Sequence, residues 1–130
     1  MLRPLGPGGD GRYLPAAYDH RLDEPVPPAH QRATPDAVVL FDGVFLLRPE
    51  LRDHWDVTLY LHAAPEVTVR RALTRDLEVF GSAATVEQRY RHRYLPGQEL
   101  YRGEARPLER ADIVLDMDDP LDPAVLKWPE

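Results

Sequence analysis

The chain has no cysteine and a single lysine, Lys127. The first absence excludes disulfides and thiolate metal sites. The second bears on nucleotide chemistry. A loop that cradles nucleotide phosphates needs a glycine-rich turn ending in Gly-Lys-Ser or Gly-Lys-Thr, so that backbone N–H groups and one lysine hold the phosphates. The one lysine here stands between Leu126 and Trp128, far from any such turn. No apolar run approaches the roughly 20 residues of a spanning helix; the longest are 37–41 and 44–47. A cytoplasmic protein without a membrane segment is expected. The five histidines show no zinc-ligand spacing. The acidic stretch 116–119 lacks the glycine and distal glutamate of a calcium loop, so no metal site is expected and a solvated turn is. No Ser-His-Asp arrangement can be picked out.

What is present is a chain of 130 residues, 43% apolar, with room for one domain of ordinary core. Sixteen basic against 22 acidic residues give a net charge of −6, which argues against general nucleic-acid binding. The charge is unevenly spread. Residues 1–69 hold six arginines and ten acids, residues 70–110 nine arginines and six acids, and residues 111–130 one lysine and six acids. An arginine-rich middle between acidic flanks fits a small anionic ligand better than a polyanion. The plain alternative is a solvated helical surface.

Along the chain, residues 1–35 read as a proline- and glycine-rich lead-in and connection, with Pro25, Pro27, Pro28 and Pro35 near its end. The pattern then changes. Ala37-Val38-Val39-Leu40-Phe41 is a continuous apolar run closed by Asp42-Gly43, the form of a strand covered on both faces in a parallel sheet. A short helix is expected over 49–55 and a second strand over 56–62. Pro65 suits the first position of the next helix, which carries Val69, Ala72 and Leu73 at helical spacing. Residues 80–83 break that pattern. Helix resumes over about 85–102, with a kink at Pro96-Gly97 and with Tyr90, Tyr94, Gln98 and Tyr101 on one stripe. A third strand is expected over 111–116 and a short closing helix over 120–128. Strands alternating with helices indicate an α/β fold with a parallel sheet.

Four features carry candidate chemistry, each with a plain alternative. Gly6-Pro7-Gly8-Gly9-Asp10-Gly11 matches G-x-G-x-x-G in letters only. No strand precedes it, no helical pattern follows, and Pro7 lacks the N–H that a pyrophosphate turn would use, so it reads as a surface turn. Asp42 has the form of a Walker B-type strand end, able to hold a Mg²⁺-bound water, or of an ordinary Asp-Gly turn. Arg71 and Arg75 stand four apart on one helix face beside Arg70. Like charges at that spacing cost roughly 0.2–0.5 kcal/mol, which either a bound phosphate or a neighbouring Asp76 or Glu78 would offset. Arg89, Arg91, His92 and Arg93 add positive charge beside Tyr90 and Tyr94, tyrosines that serve as core or as a stacking platform.

In order and spacing, these pieces resemble the uridine kinase-like branch of P-loop kinases, which includes phosphoribulokinase. The parts are Tyr18-Asp19, the run from Val38 through Asp42-Gly43-Val44-Phe45, Leu51-Arg52 before Trp55-Asp56, and the strand holding Val57 and Leu61. They continue with Arg70-Arg71, Arg75-Asp76 and Ala111-Asp112-Ile113-Val114. The resemblance covers about 18–116 and implies the C-terminal portion of such a domain, residues 36–130, including an arginine-bearing lid. It implies ATP and Mg²⁺ as cofactors, with neither bound tightly by this chain alone, and a nucleoside-like small molecule as substrate. In that frame Asp42 looks like the acid following the family's third strand. Arg71 and Arg75 look like lid arginines closing over the triphosphate, and Tyr18 and Arg89 lie on the substrate side. The family usually has Glu-Gly where this chain has Asp42-Gly43. Its lid also continues with arginines where this one has Leu77-Glu78-Val79-Phe80-Gly81.

The same resemblance implies what is missing: the first, central strand, the phosphate loop, and the catalytic aspartate, all expected N-terminal to this chain. The fold expected is therefore an incomplete P-loop kinase-like three-layer α/β fold, catalytically silent and poorly stable alone, which a missing N-terminal portion or a homo-oligomer would complete. The alternative is a non-catalytic remnant that binds a nucleotide or a partner chain.

Overall fold

The computed structural model describes residues 2–19 and 22–130. They form two compact units, residues 1–43 and 44–130, each taken by itself below.

The first unit is built from two-residue strands. Strand β1 (Arg12–Tyr13) pairs antiparallel with β4 (Gln31–Arg32), and β2 (Tyr18–Asp19) with β3 (Glu24–Pro25). Prolines donate no ladder hydrogen bond, which keeps these ribbons short. The glycine-rich stretch is a turn against a 3₁₀ segment, Arg3–Leu5: Gly11 N–H donates to Pro4 O at 2.8 Å. A Cβ on Gly9 would stand 2.2 Å from that same carbonyl, so close backbone approach is what requires glycine there.

The apolar run 37–41, expected as a buried strand, is not one. It has no strand assignment, and Val38 and Leu40 are 96% and 94% exposed. An apolar run becomes a strand only when a neighbouring strand takes its N–H and C=O groups and other layers cover its faces. Among the described residues no strand pairs with it.

The second unit is mixed α/β. Helix α1 (Pro49–Arg52) begins with proline at its first turn. Strand β5 (Leu59–His62) follows, then α2 (Pro65–Arg75), α3 (Leu77–Phe80), which Gly81 ends in the left-handed conformation, and α4 (Ala83–Arg89), capped by Ser82. A π-helical turn (Tyr90–Tyr94) leads into α5 (Leu95–Ala105). Pro96 thus falls in the first turn of α5. A kink was expected at Pro96-Gly97, and the helical irregularity is the wide turn directly before it. Helix α6 (Pro107–Arg110) and strand β6 (Ile113–Asp116) complete the crossover.

Strands β5 and β6 are parallel, with Leu59 opposite Ile113 and Leu61 opposite Leu115. The closing segment, expected as a helix, is instead strand β7 (Ala124–Lys127), antiparallel to β6. Pro123 and Pro129 bracket too few residues for a stable helix. The Asp119 carboxylate accepts from Leu121 N–H in the turn before it, and Lys127 Nζ donates to the carbonyls of Glu109 and Ala111. The sheet is therefore mixed, in the order β5-β6-β7.

Two small clusters form the core. Val69, Ala72, Val86 and Tyr90 join α2, α4 and the π turn. Leu47, Ala111 and Val114 gather Trp55, Tyr60 and Tyr101 against one face of the sheet. Only the second cluster includes strand residues, Val114 and Tyr60. Among the described residues no helix is long and apolar enough to cross a membrane.

Candidate functional site

In α/β proteins ligands gather at the C-terminal ends of parallel strands. Here that edge is made by His62 of β5 and Asp116 of β6, which face each other in register. Met117 N–H donates to the His62 carbonyl at 2.7 Å. Asp118 then turns back: its N–H meets the Asp116 carboxylate at 2.9 Å, and its own carboxylate accepts from Ala64 N–H at 2.8 Å, where α2 begins. Nδ1 of His62 is buried and has no hydrogen-bond partner.

Arg71 belongs to this edge. Its Nη2 donates to the carbonyls of Met117, at 2.6 Å, and Asp118, at 3.1 Å. One turn on, Arg75 has a different set of partners. Its Nε and Nη2 grip both oxygens of Asp76, at 2.6 and 3.0 Å, and Nη2 also reaches Tyr90 Oη at 2.8 Å. Tyr90 Oη in turn donates to Asp76 at 2.7 Å. The Arg75 guanidinium, and after it the Tyr90 hydroxyl, hold the Asp76 carboxyl below the usual carboxylate range. Burial first, and the bond to Asp76 second, push the Tyr90 phenol up. Arg71 and Arg75 therefore each have acceptors within the protein. Their i,i+4 repulsion is offset by carbonyls on one side and Asp76 on the other.

Arg89 stacks over the Phe80 ring, 4.6 Å from its centre, and Arg93 lies over Tyr94 at 5.9 Å. Arg91 pairs with Glu87 at 2.9 Å. Tyr90 and Tyr94 meet edge to face at 5.0 Å, and Tyr101 Oη accepts from Leu47 N–H at 3.2 Å. Tyr90 and Tyr101 are thus packing residues, with burial raising the Tyr101 phenol as well.

Asp42 and Tyr18 belong to the first unit, and Arg71, Arg75 and Arg89 to the second. Asp42 is exposed in the segment that was expected to end a strand and does not, so the Walker B-type geometry is absent at that residue. Tyr18 Oη donates to the Asp23 carboxylate at 2.5 Å, and that bond raises its pKa. Among the described residues no three His, Asp or Glu side chains are grouped to hold a metal. Asp42 alone offers Mg²⁺ one carboxylate, so the residues present do not build a site for that ion.

Two arrangements carried no sequence signal. Thr58 and Asp112 clasp the N-terminal ends of the parallel strands: the Asp112 carboxylate accepts from Thr58 N–H at 2.8 Å and Thr58 Oγ1 at 2.6 Å. These bonds lower the Asp112 pKa. Beside them an open cleft of about 410 Å³ is lined by Arg52, Asp53, Asp56 and Arg110. Its mixed charge selects no one ligand sign, and it opens at the strand ends opposite the edge where ligands gather. No protein-family model, no curated protein and no solved structure matches this chain.

Proposed function

We propose that this chain is the C-terminal portion of a uridine kinase-like phosphotransferase, a fold whose complete form moves the ATP γ-phosphoryl group to a small-molecule hydroxyl in the cytoplasm. The observation that carries the reading is the parallel β5–β6 pair joined by an all-helical crossover that holds Arg70, Arg71, Arg75 and Arg89. Phosphoryl transfer is positioning plus charge neutralisation. A crossover rich in arginine beside the C-terminal strand edge suits the second task. The first is unprovided for, since the chain has no phosphate loop and Asp42 closes no strand.

The 130 residues alone are expected to be inactive. With Arg71 and Arg75 engaged internally, they neither hold Mg-ATP tightly nor turn over substrate. Purified chain incubated with Mg-ATP and labelled uridine or cytidine is expected to yield no nucleotide; product formation overturns the inactivity. The parent reading is tested by the intact mass of the native protein in its source cell. A mass above 14.8 kDa by enough for a phosphate loop and its helix supports it. A mass of 14.8 kDa overturns it in favour of a non-catalytic binding protein.

A further inference from the structure

The cleft of about 410 Å³ at the N-terminal ends of β5 and β6 gathers charge from three places in the second unit. Arg52 is the last residue of α1 and Arg110 the last of α6. Asp53 and Asp56 stand in the loop between Arg52 and Thr58. The Thr58–Asp112 part of the wall is complete in itself. The Asp112 carboxylate takes both donors of Thr58, and Asp112 N–H donates back to Thr58 Oγ1 at 3.0 Å. The other four charges differ. Among the described residues, no ion pair or side-chain hydrogen bond engages Arg52, Asp53, Asp56 or Arg110. Two guanidinium groups and two carboxylates thus line one space and leave one another unneutralised.

We propose that this cleft binds a small zwitterion, a free α-amino acid with an apolar side chain, its carboxylate on the arginines and its ammonium on the aspartates. Charge of both signs is the selecting feature. A phosphate or other anion meets two aspartates here, and a metal ion or organic cation meets two arginines. Each loses on one side what it gains on the other. A molecule carrying both charges gains on both sides. The guanidinium fork matches the two oxygens of a carboxylate, and an ammonium brings three donors to carboxylates that have none. Leu47 and Trp55 supply the apolar part of the lining. The volume sits at the lower end of the range for small-molecule sites, about 300–1,000 Å³, which suits one amino acid better than a nucleotide. Asp53, Asp56 and Arg110 are exposed and Arg52 is half-buried, so the pairs form in contact with water. Affinity is accordingly modest, with a Kd on the order of millimolar, and it weakens with salt.

The test is an NMR titration of the ¹⁵N-labelled chain with three probes at about pH 6.5, where an α-amino group is protonated. L-leucine carries both charges, N-acetyl-L-leucine only the carboxylate, and L-leucinamide only the ammonium. The expected result is saturable shifts for leucine at residues 52–58 and 110–112, with both blocked probes weaker by about tenfold. Arg52→Gln should bring leucine down to the level of leucinamide, and Arg110→Gln serves as a second variant should the first lose its fold. The double variant Asp53→Asn, Asp56→Asn should reverse the preference, so that N-acetyl-leucine binds better than leucine does. Shifts that do not saturate by about 20 mM, equal binding of all three probes, or saturable shifts confined to other residues would each overturn the proposal. None of these outcomes depends on whether the parent domain is a kinase.

Discussion

Removing one oxygen tests whether Arg75 is a structural residue. Tyr90 is 7% exposed, and its hydroxyl donates to Asp76 and accepts from Arg75. Tyr90→Phe keeps the ring in the core with Val69, Ala72 and Val86 and deletes both bonds. A hydrogen bond to a charged partner contributes about 1.5–3 kcal/mol when shielded, and a neutral one about 0.5–1.5. The Arg75 side chain is 71% exposed and the Asp76 side chain 15%, so the Asp76 bond dominates and the Arg75 bond adds little. The expected loss is about 1–2 kcal/mol, or a fall in Tm of roughly 3–8 °C for a domain of this size. Arg75→Ala leaves the Tyr90–Asp76 bond in place and removes a largely solvated pair, so it should cost about 0–1 kcal/mol. Urea unfolding, followed by circular dichroism, supplies both numbers from the midpoint shift at constant slope. The reasoning fails if Tyr90→Phe is neutral within about 0.5 kcal/mol, or if Arg75→Ala costs more than Tyr90→Phe.

Further expectations rest on other contacts. Asp112 has a pKa lowered in the folded state by its bonds to Thr58. A depressed carboxyl stabilises above its unfolded pKa, about 3.9, and that contribution is lost as pH falls through the folded value. Asp112→Asn should flatten the acid limb of a Tm-against-pH curve below about pH 4. At the other extreme, Tyr90 is pushed up by burial, so its contribution holds below about pH 10 and fades as pH rises through the folded value. Tyr90→Phe should remove part of that alkaline loss, read by the same curve. Val114, 1% exposed at the centre of the sheet, should cost about 1.5–3 kcal/mol on truncation to alanine, measured by urea unfolding. Arg71→Ala should cost about 1–2 kcal/mol through its two carbonyl bonds and loosen hydrogen-exchange protection at Met117.

Some of this protein is written locally. Pro65 starting a helix, Val69 and Ala72 recurring on its inner face, and the strands at 59–62 and 113–116, expected over 56–62 and 111–116, depend on residues within a turn or two of each other. Those elements, their α/β alternation and the glycine turn at 6–11 were legible without coordinates. What the sequence left open was every choice of partner. The run 37–41 has the strongest strand composition in the chain, yet a strand exists only against a neighbour, and among the described residues none pairs with it. A closing helix was expected over 120–128, and pairing with β6 made 124–127 a strand instead. Arg71 and Arg75 share a spacing that a phosphate or a protein acceptor satisfies equally. The Asp76 carboxylate was visible one residue away, but Tyr90 and the carbonyls of Met117 and Asp118 come from distant positions. Propensity and periodicity act over a few residues and were determined by the sequence alone. Burial, pairing and the neutralisation of charge depend on groups brought together from afar, and only the tertiary structure decided them.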